Sequence, residues 1–216
     1  MSMKMAERLF PRLTNSVGDW CEIEANSLAK EAIEIFGFGL EEEGENPFLD
    51  PNYVAKWMAF VAKVLDVKYT YGGYMEDRSI LWHGHYMQPD SMIHLGVDFN
   101  VPAGTDVFMP DAGELVYSLQ DTDQNGGWGG KLIFKPLREE KPFIIFGHLK
   151  DMVTEKQIYE RGDRIGVVAE ADCNGGWYPH LHVQCMREFQ PDIDGYGKLY
   201  NGMLKDFPHP EKYLVR

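Results

Sequence analysis

Three short stretches of this chain concentrate side chains that bind metals: His94-Leu95-Gly96-Val97-Asp98, Gly147-His148-Leu149 and His180-Leu181-His182. They hold four of the chain's seven histidines and one carboxylate. Imidazole and carboxylate are donors that zinc takes from proteins, and a catalytic zinc needs only three of them plus an open position. Four imidazoles and one carboxylate therefore suffice for a three-ligand zinc site, with two imidazoles left over for acid–base work.

Each stretch sets its own geometric demand. A helix would bring His94 and Asp98 onto one face, but Gly96 and the β-branched Val97 disfavour a helix there. A straight strand would hold the two side chains roughly 13 Å apart. The chain must therefore bend between them, and Gly96 is the residue able to permit it. The expectation is a loop carrying His94 that feeds a strand starting near Asp98. His180 and His182 have strand spacing, in which residues two apart face the same way. Leu181, Val183 and Cys185 then point inward, while His180, His182 and Gln184 share an exposed face. Spacing alone leaves open whether one or both of these imidazoles ligate. His148 stands where the apolar run ending in Phe146 emerges.

The elements that must position these residues change character along the chain. Val54, Trp57, Met58, Val61, Val64 and Leu65 recur at helical steps behind the start signal Asp50-Pro51-Asn52. An earlier helix is expected over residues 19–36, placing Trp20, Ile23, Ala32, Ile33 and Phe36 on one side, with Gly37-Phe38-Gly39 ending it. The acidic run Glu41-Glu42-Glu43-Gly44-Glu45 reads as a solvated loop. Beyond residue 69 glycines become frequent and apolar runs short. Residues 107–109, 113–117, 131–134, 143–146 and 165–168 read as strands. The fold class expected is mainly β with N-terminal helices (α+β): an antiparallel β-sandwich or barrel-like domain. The expected division is a helical subdomain over 1–70, the β domain over 71–190, and a C-terminal tail over 191–216 packing on it.

Composition narrows the partners. The net charge of −13, from 21 basic and 34 acidic residues, repels nucleic-acid phosphate and anionic lipid, so neither is expected as a partner. No stretch approaches the about 20 apolar residues that span a bilayer, so no membrane insertion is expected. The first residues lead into no apolar stretch of signal-peptide length, and the expected location is cytoplasmic, with non-standard export as the alternative. Three cysteines, Cys21, Cys173 and Cys185, without a Cys-x-x-Cys pair, suit a reducing compartment and argue against a zinc knuckle. Cys185 is expected in the core.

Read in order, the motifs resemble the lysostaphin-type (LytM-like) zinc metallopeptidases. The resemblance rests on the stretch from His94 to Val107, on Pro110-Asp111-Ala112-Gly113-Glu114-Leu115-Val116 and on Gly129-Gly130-Lys131-Leu132-Ile133-Phe134. Gly147-His148-Leu149, Arg161-Gly162-Asp163-Arg164-Ile165-Gly166 and Pro179-His180-Leu181-His182-Val183 follow in family order. It covers residues 92–186. The resemblance implies the lysostaphin (duplicated-hybrid-motif) fold, one zinc ion held by His94, Asp98 and His182, and His148 and His180 as catalytic histidines. It implies a peptide substrate, glycyl or peptidoglycan-derived. The lead-in Tyr71-Gly72-Gly73-Tyr74-Met75-Glu76-Asp77-Arg78 resembles that of intracellular members fused to aminotransferase or kinase-like domains. Two other classes compete with the peptidase: a non-peptidase zinc amidohydrolase, and a catalytically silent binding or regulatory module. All five site positions are present, which favours an enzyme. His83-Gly84-His85 reads as a loop at the groove rim, and Trp128 and Trp177, in glycine-rich loops, are candidates for its walls. Oligomeric state is not legible.

Overall fold

The structure, a computed structural model, describes residues 3–13, 17–36, 46–82, 90–138 and 140–214. The acidic run, Gly37-Phe38-Gly39 and His83-Gly84-His85 lie outside the described residues. In chain order the helices are α1 (Met3–Leu9), α2 (Ala25–Phe36), α3 (Pro51–Leu65), α4 (Met203–Asp206) and α5 (Glu211–Leu214). The strands are β1 (Trp20–Ile23), β2 (Tyr69–Gly72), β3 (Ile93–His94), β4 (Gly96–Asn100), β5 (Asp106–Phe108) and β6 (Gly113–Gln120). They continue with β7 (Gly130–Pro136), β8 (Phe143–Lys150), β9 (Ile158–Tyr159), β10 (Arg164–Val168), β11 (Leu181–Met186) and β12 (Tyr196–Gly197).

The chain is mostly β, as expected. Ten strands form one sheet in the order β1-β2-β4-β11-β8-β7-β6-β9, and β10 joins the end of β8 to β5. The sheet is mixed rather than wholly antiparallel: β1 and β2 run parallel, and all other described pairings are antiparallel. It branches at β8 and does not close into a barrel. A second, two-stranded sheet pairs β12 with β3.

The helix expected over 19–36 starts only at Ala25. Residues 20–23 are a strand because Trp20 packs sideways on Tyr69, with ring centroids 4.9 Å apart, and edge-on to Phe99 at 6.0 Å. Large aromatic side chains suit such a pleated, buried surface, and this packing overrides the helical spacing. The second helix begins as read. The Asp50 side chain accepts from Asn52 N at 2.9 Å and Pro51 opens α3. Val54, Trp57, Met58 and Val61 are buried, whereas Val64 and Leu65, assigned to the same stripe, are exposed where the helix outruns the body it packs on.

Strands β4, β11 and β8 sit side by side at the centre. One face buries Val97, Phe99, Leu181, Val183, Cys185, Ile144 and Phe146 in the main core. Pleating turns Asp98 and His182 to the other face, and the register sets them directly opposite each other, with His182 also opposite Gly147. Cys185 is a free, fully buried core thiol as expected.

Candidate metal centre

His94 reaches the sheet from its own short strand. Its backbone N–H donates to Glu76 O and its carbonyl accepts from Met75 N, while Leu95 N donates to Gly195 O. β4 begins directly afterwards, at Gly96 rather than near Asp98. The glycine serves a purpose other than the expected bend: a Cβ there would stand 2.6 Å from His182 Nε2 and 2.7 Å from Val183 O. Gly96 is the floor on which the His182 ring lies.

Three donor atoms converge above that floor. His94 Nε2 lies 3.0 Å from His182 Nδ1 and 3.3 Å from Asp98 Oδ1, and His182 Nδ1 lies 3.0 Å from Asp98 Oδ1. The remaining polar atom of each of the three side chains is engaged elsewhere. His94 Nδ1 is 2.8 Å from Gly73 O, and His182 Nε2 is 3.0 Å from Gln184 Oε1. Those acceptors place the ring protons on His94 Nδ1 and His182 Nε2, leaving the converging nitrogens bare. Asp98 Oδ2 accepts from Arg78 Nη1 at 2.7 Å. Zinc bonded at about 2.0–2.1 Å in a tetrahedron has donors about 3.3 Å apart, so the triangle fits that ion. These three residues lie close enough together to hold a metal ion.

The other two histidines flank the triangle. His180 Nδ1 is 2.7 Å from Tyr178 O, which turns its bare Nε2 toward Asp98 Oδ1 at 3.8 Å. His180 precedes β11 rather than lying in it, yet keeps the side predicted by alternation. His148 adopts a left-handed backbone (φ 61°) and tilts against His180, with centroids 4.3 Å apart. Its Nδ1 is buried with no hydrogen-bond partner among the described residues. Trp128 stacks on His148 at 6.0 Å and meets His182 edge-on at 5.3 Å, and Trp177 meets His180 edge-on at 5.5 Å. Both tryptophans line the pocket over the site.

The face expected to be exposed is covered. His180, His182 and Gln184 are 5%, 2% and 0% exposed. Burial, then the neighbouring Arg78 charge, pushes the His94 imidazole down to about 3. Burial also lowers His148 and His180. Burial alone would raise the Asp98 carboxyl, but His94 and Arg78 beside it hold it well below the carboxylate range.

Several site residues have no role in the sequence reading. Arg78, 3% exposed, also donates from Nε to Glu76 Oε2 at 2.8 Å and from Nη1 to the Tyr196 hydroxyl at 3.2 Å. Asn26 N, at the start of α2, donates to Glu76 Oε1 at 2.6 Å. The one signal for Arg78 was its two-residue spacing from Glu76. Tyr196 carried none.

Comparison with known proteins follows this geometry. Residues 92–194 match the model of Peptidase family M23. The catalytic domain of the antimicrobial peptidase lysostaphin from Staphylococcus simulans is 22% identical, with a TM-score of 0.47 over 75% of this chain and 98% of that one. A Pseudomonas aeruginosa structure assigned to peptidase M23 is 27% identical, with a TM-score of 0.36 over 43% of this chain and 37% of that one. A zinc containing peptidase from Vibrio cholerae is 22% identical, with a TM-score of 0.37 over 48% of this chain and 30% of that one. The chain thus spans only 37% and 30% of the length of the latter two. No curated protein matches it.

Proposed function

We infer that this chain, whose residues 92–194 match the model of Peptidase family M23, is a zinc-dependent metallopeptidase cleaving a glycyl or peptidoglycan-type peptide bond. In this reading His94 Nε2, Asp98 Oδ1 and His182 Nδ1 hold one zinc ion, and His148 and His180 are the catalytic histidines. The observation that carries it is the donor triangle, with edges of 3.0–3.3 Å and every outward-facing polar atom already engaged. Bound zinc supplies Lewis-acid polarisation of a carbonyl and acidification of a water molecule.

The chain's own residues do the rest. Gly73, Gln184 and Arg78 fix the tautomers and the carboxylate orientation, so the ligand atoms need no rearrangement on binding. His180, donating from Nδ1 to Tyr178 O, keeps Nε2 free to accept a proton beside Asp98 and to return it to a departing amine. The unpartnered Nδ1 of His148 offers the same capacity from the adjacent position. Trp128 and Trp177 wall both rings and keep bulk water from competing for those protons.

Zinc content and peptide cleavage, measured together, test the assignment. The wild-type chain should bind one zinc and cleave pentaglycine or a peptidoglycan fragment. His94→Ala, Asp98→Ala and His182→Ala should lose zinc, while His148→Ala and His180→Ala should keep it and lose cleavage. Zinc retained by His182→Ala and lost by His180→Ala would reverse the roles. Bound zinc without peptide cleavage would favour a non-peptide amidohydrolase or a binding module.

A further inference from the structure

Among the described residues, those lining the pocket over the proposed metal centre form a closed chain of contacts. A Cβ at Gly195 would stand 3.8 Å from Trp128 Cη2, so that backbone abuts the indole. Tyr196 follows, and its hydroxyl accepts from Trp82 Nε1 at 2.7 Å. The rings of Trp82 and Trp177 meet edge-on with centroids 5.0 Å apart. Trp177 is the chain neighbour of Gly176 and Gly175, and the Gly175 carbonyl accepts from Gly126 N at 2.8 Å. Gly126 leads through Gly127 back to Trp128. All of these residues except Gly127 line the pocket.

An outer tier braces the ring. Trp177 Nε1 donates to Phe48 O at 2.9 Å, which seats Leu49 at the pocket wall. Lys131 Nζ donates to Pro191 O and Ile193 O, both at 2.9 Å, and stands 4.3 Å over the Trp128 ring. One ammonium thereby ties the segment before Gly195 to the tryptophan it abuts. The two glycine-rich loops cannot part without breaking their backbone hydrogen bond, and a Cβ at Gly175 would lie 2.3 Å from Gly127 O, so they approach as closely as backbones can.

An endopeptidase that cuts within a long strand needs a groove open at both ends, because substrate must continue past the scissile bond in both directions. A ring of contacts around the site gives a well with one entrance instead. We propose that the site takes a short peptide, or the last few residues of a longer one, and hydrolyses a bond next to a chain end. The proposal rests on the peptidase reading of the same site. Water is the sole co-reactant: the peptide C–N bond breaks, the hydroxyl joins the acyl carbon, and the remaining proton goes to the departing amine.

The test compares a linear decapeptide with its backbone-cyclised form, using the zinc-loaded full chain and locating cuts by mass spectrometry. Cuts confined to a few residues from one end of the linear peptide, with the cyclic form intact, are expected. Cleavage of the cyclic form at a comparable rate, or in the middle of the linear one, overturns the proposal and leaves the peptidase reading standing. Quenching of the pocket tryptophans supplies an independent readout. Saturable quenching by a linear tripeptide and none by the cyclic decapeptide is expected. That pattern without cleavage of either peptide would sink the peptidase reading while keeping selection for chain ends. Equal quenching by both peptides would overturn the selection itself.

Discussion

Arg78 Nη1 donates to Asp98 Oδ2 at 2.7 Å, joining a fully buried guanidinium to the carboxylate whose other oxygen faces two imidazoles. The bond does two things at once. It engages one carboxylate oxygen, so that Oδ1 alone is presented to a cation. It also keeps a buried negative charge ionised, where desolvation would favour the acid.

Arg78→Met should therefore affect both stability and metal affinity. Removing one member of a buried ion pair typically costs about 3–5 kcal/mol, because the abandoned charge stays buried. Glu76 is abandoned along with Asp98. Loss of a group that orients a ligand should weaken zinc by roughly 10–100-fold. Arg78→Lys should retain part of the stability but less of the orientation, since an ammonium lacks the planar fork. Urea denaturation of the metal-free protein and competition with a zinc chelator separate the two effects. A drop in stability with unchanged zinc affinity would reduce Arg78 to a structural role.

Gln184→Leu isolates the tautomer effect. Gln184 Oε1 holds the His182 proton on Nε2, so that Nδ1 is bare toward Asp98 and His94. Leucine has similar volume and no acceptor. The ring should then divide between tautomers, and zinc affinity should fall by roughly 10–100-fold. Chelator competition checks this. Undiminished affinity would mean that packing against Gly96 and Trp128 orients the ring without help.

How far the sequence reveals this site follows from the range of each interaction. Strand alternation is local, so the sequence alone places Gln184 beside His182 and turns Leu181, Val183 and Cys185 inward. The same alternation wrongly exposed the histidine face, because the cover comes from Gly195 and Tyr196, beyond the strand, and from Trp128, far before it. Arg78 was equally invisible as a site residue. Its partners Asp98 and Tyr196 are 20 and 118 positions away, and nothing periodic links them. Trp20 failed in the opposite direction: helical spacing was present, but aromatic packing on Tyr69 and Phe99 in a parallel pairing prevailed.

Gly96→Ala tests the floor of the site. The added methyl would meet the His182 ring at 2.6 Å and the Val183 carbonyl at 2.7 Å, one neighbour being a proposed ligand and the other rigid backbone. Overpacking of this kind typically costs about 1–3 kcal/mol. The His182 ring is the softer neighbour, so it should move, and zinc stoichiometry should fall well below that of the wild type. Full zinc occupancy with a folded protein would show that the sheet yields instead of the ring.

His209 gives a pH dependence that is independent of the metal. Its ring lies 4.4 Å from that of Tyr74, and its Nδ1 accepts from Glu211 N at 3.2 Å. Burial, then nearby Lys212, pushes the imidazole down to about 4. In the unfolded chain it titrates near 6.5. Between these values the unfolded state binds a proton that the folded state refuses, so acidification favours unfolding. The stability due to this residue is complete above about 6.5 and is lost as pH falls through about 4. His209→Phe keeps an aromatic ring against Tyr74 and cannot take the proton. Other buried histidines contribute equally to both proteins and cancel in the comparison. Urea midpoints of the metal-free proteins between neutrality and about pH 4.5 should therefore fall less steeply for the variant. Parallel curves would mean that the His209 ring is protonated as readily in the fold as outside it.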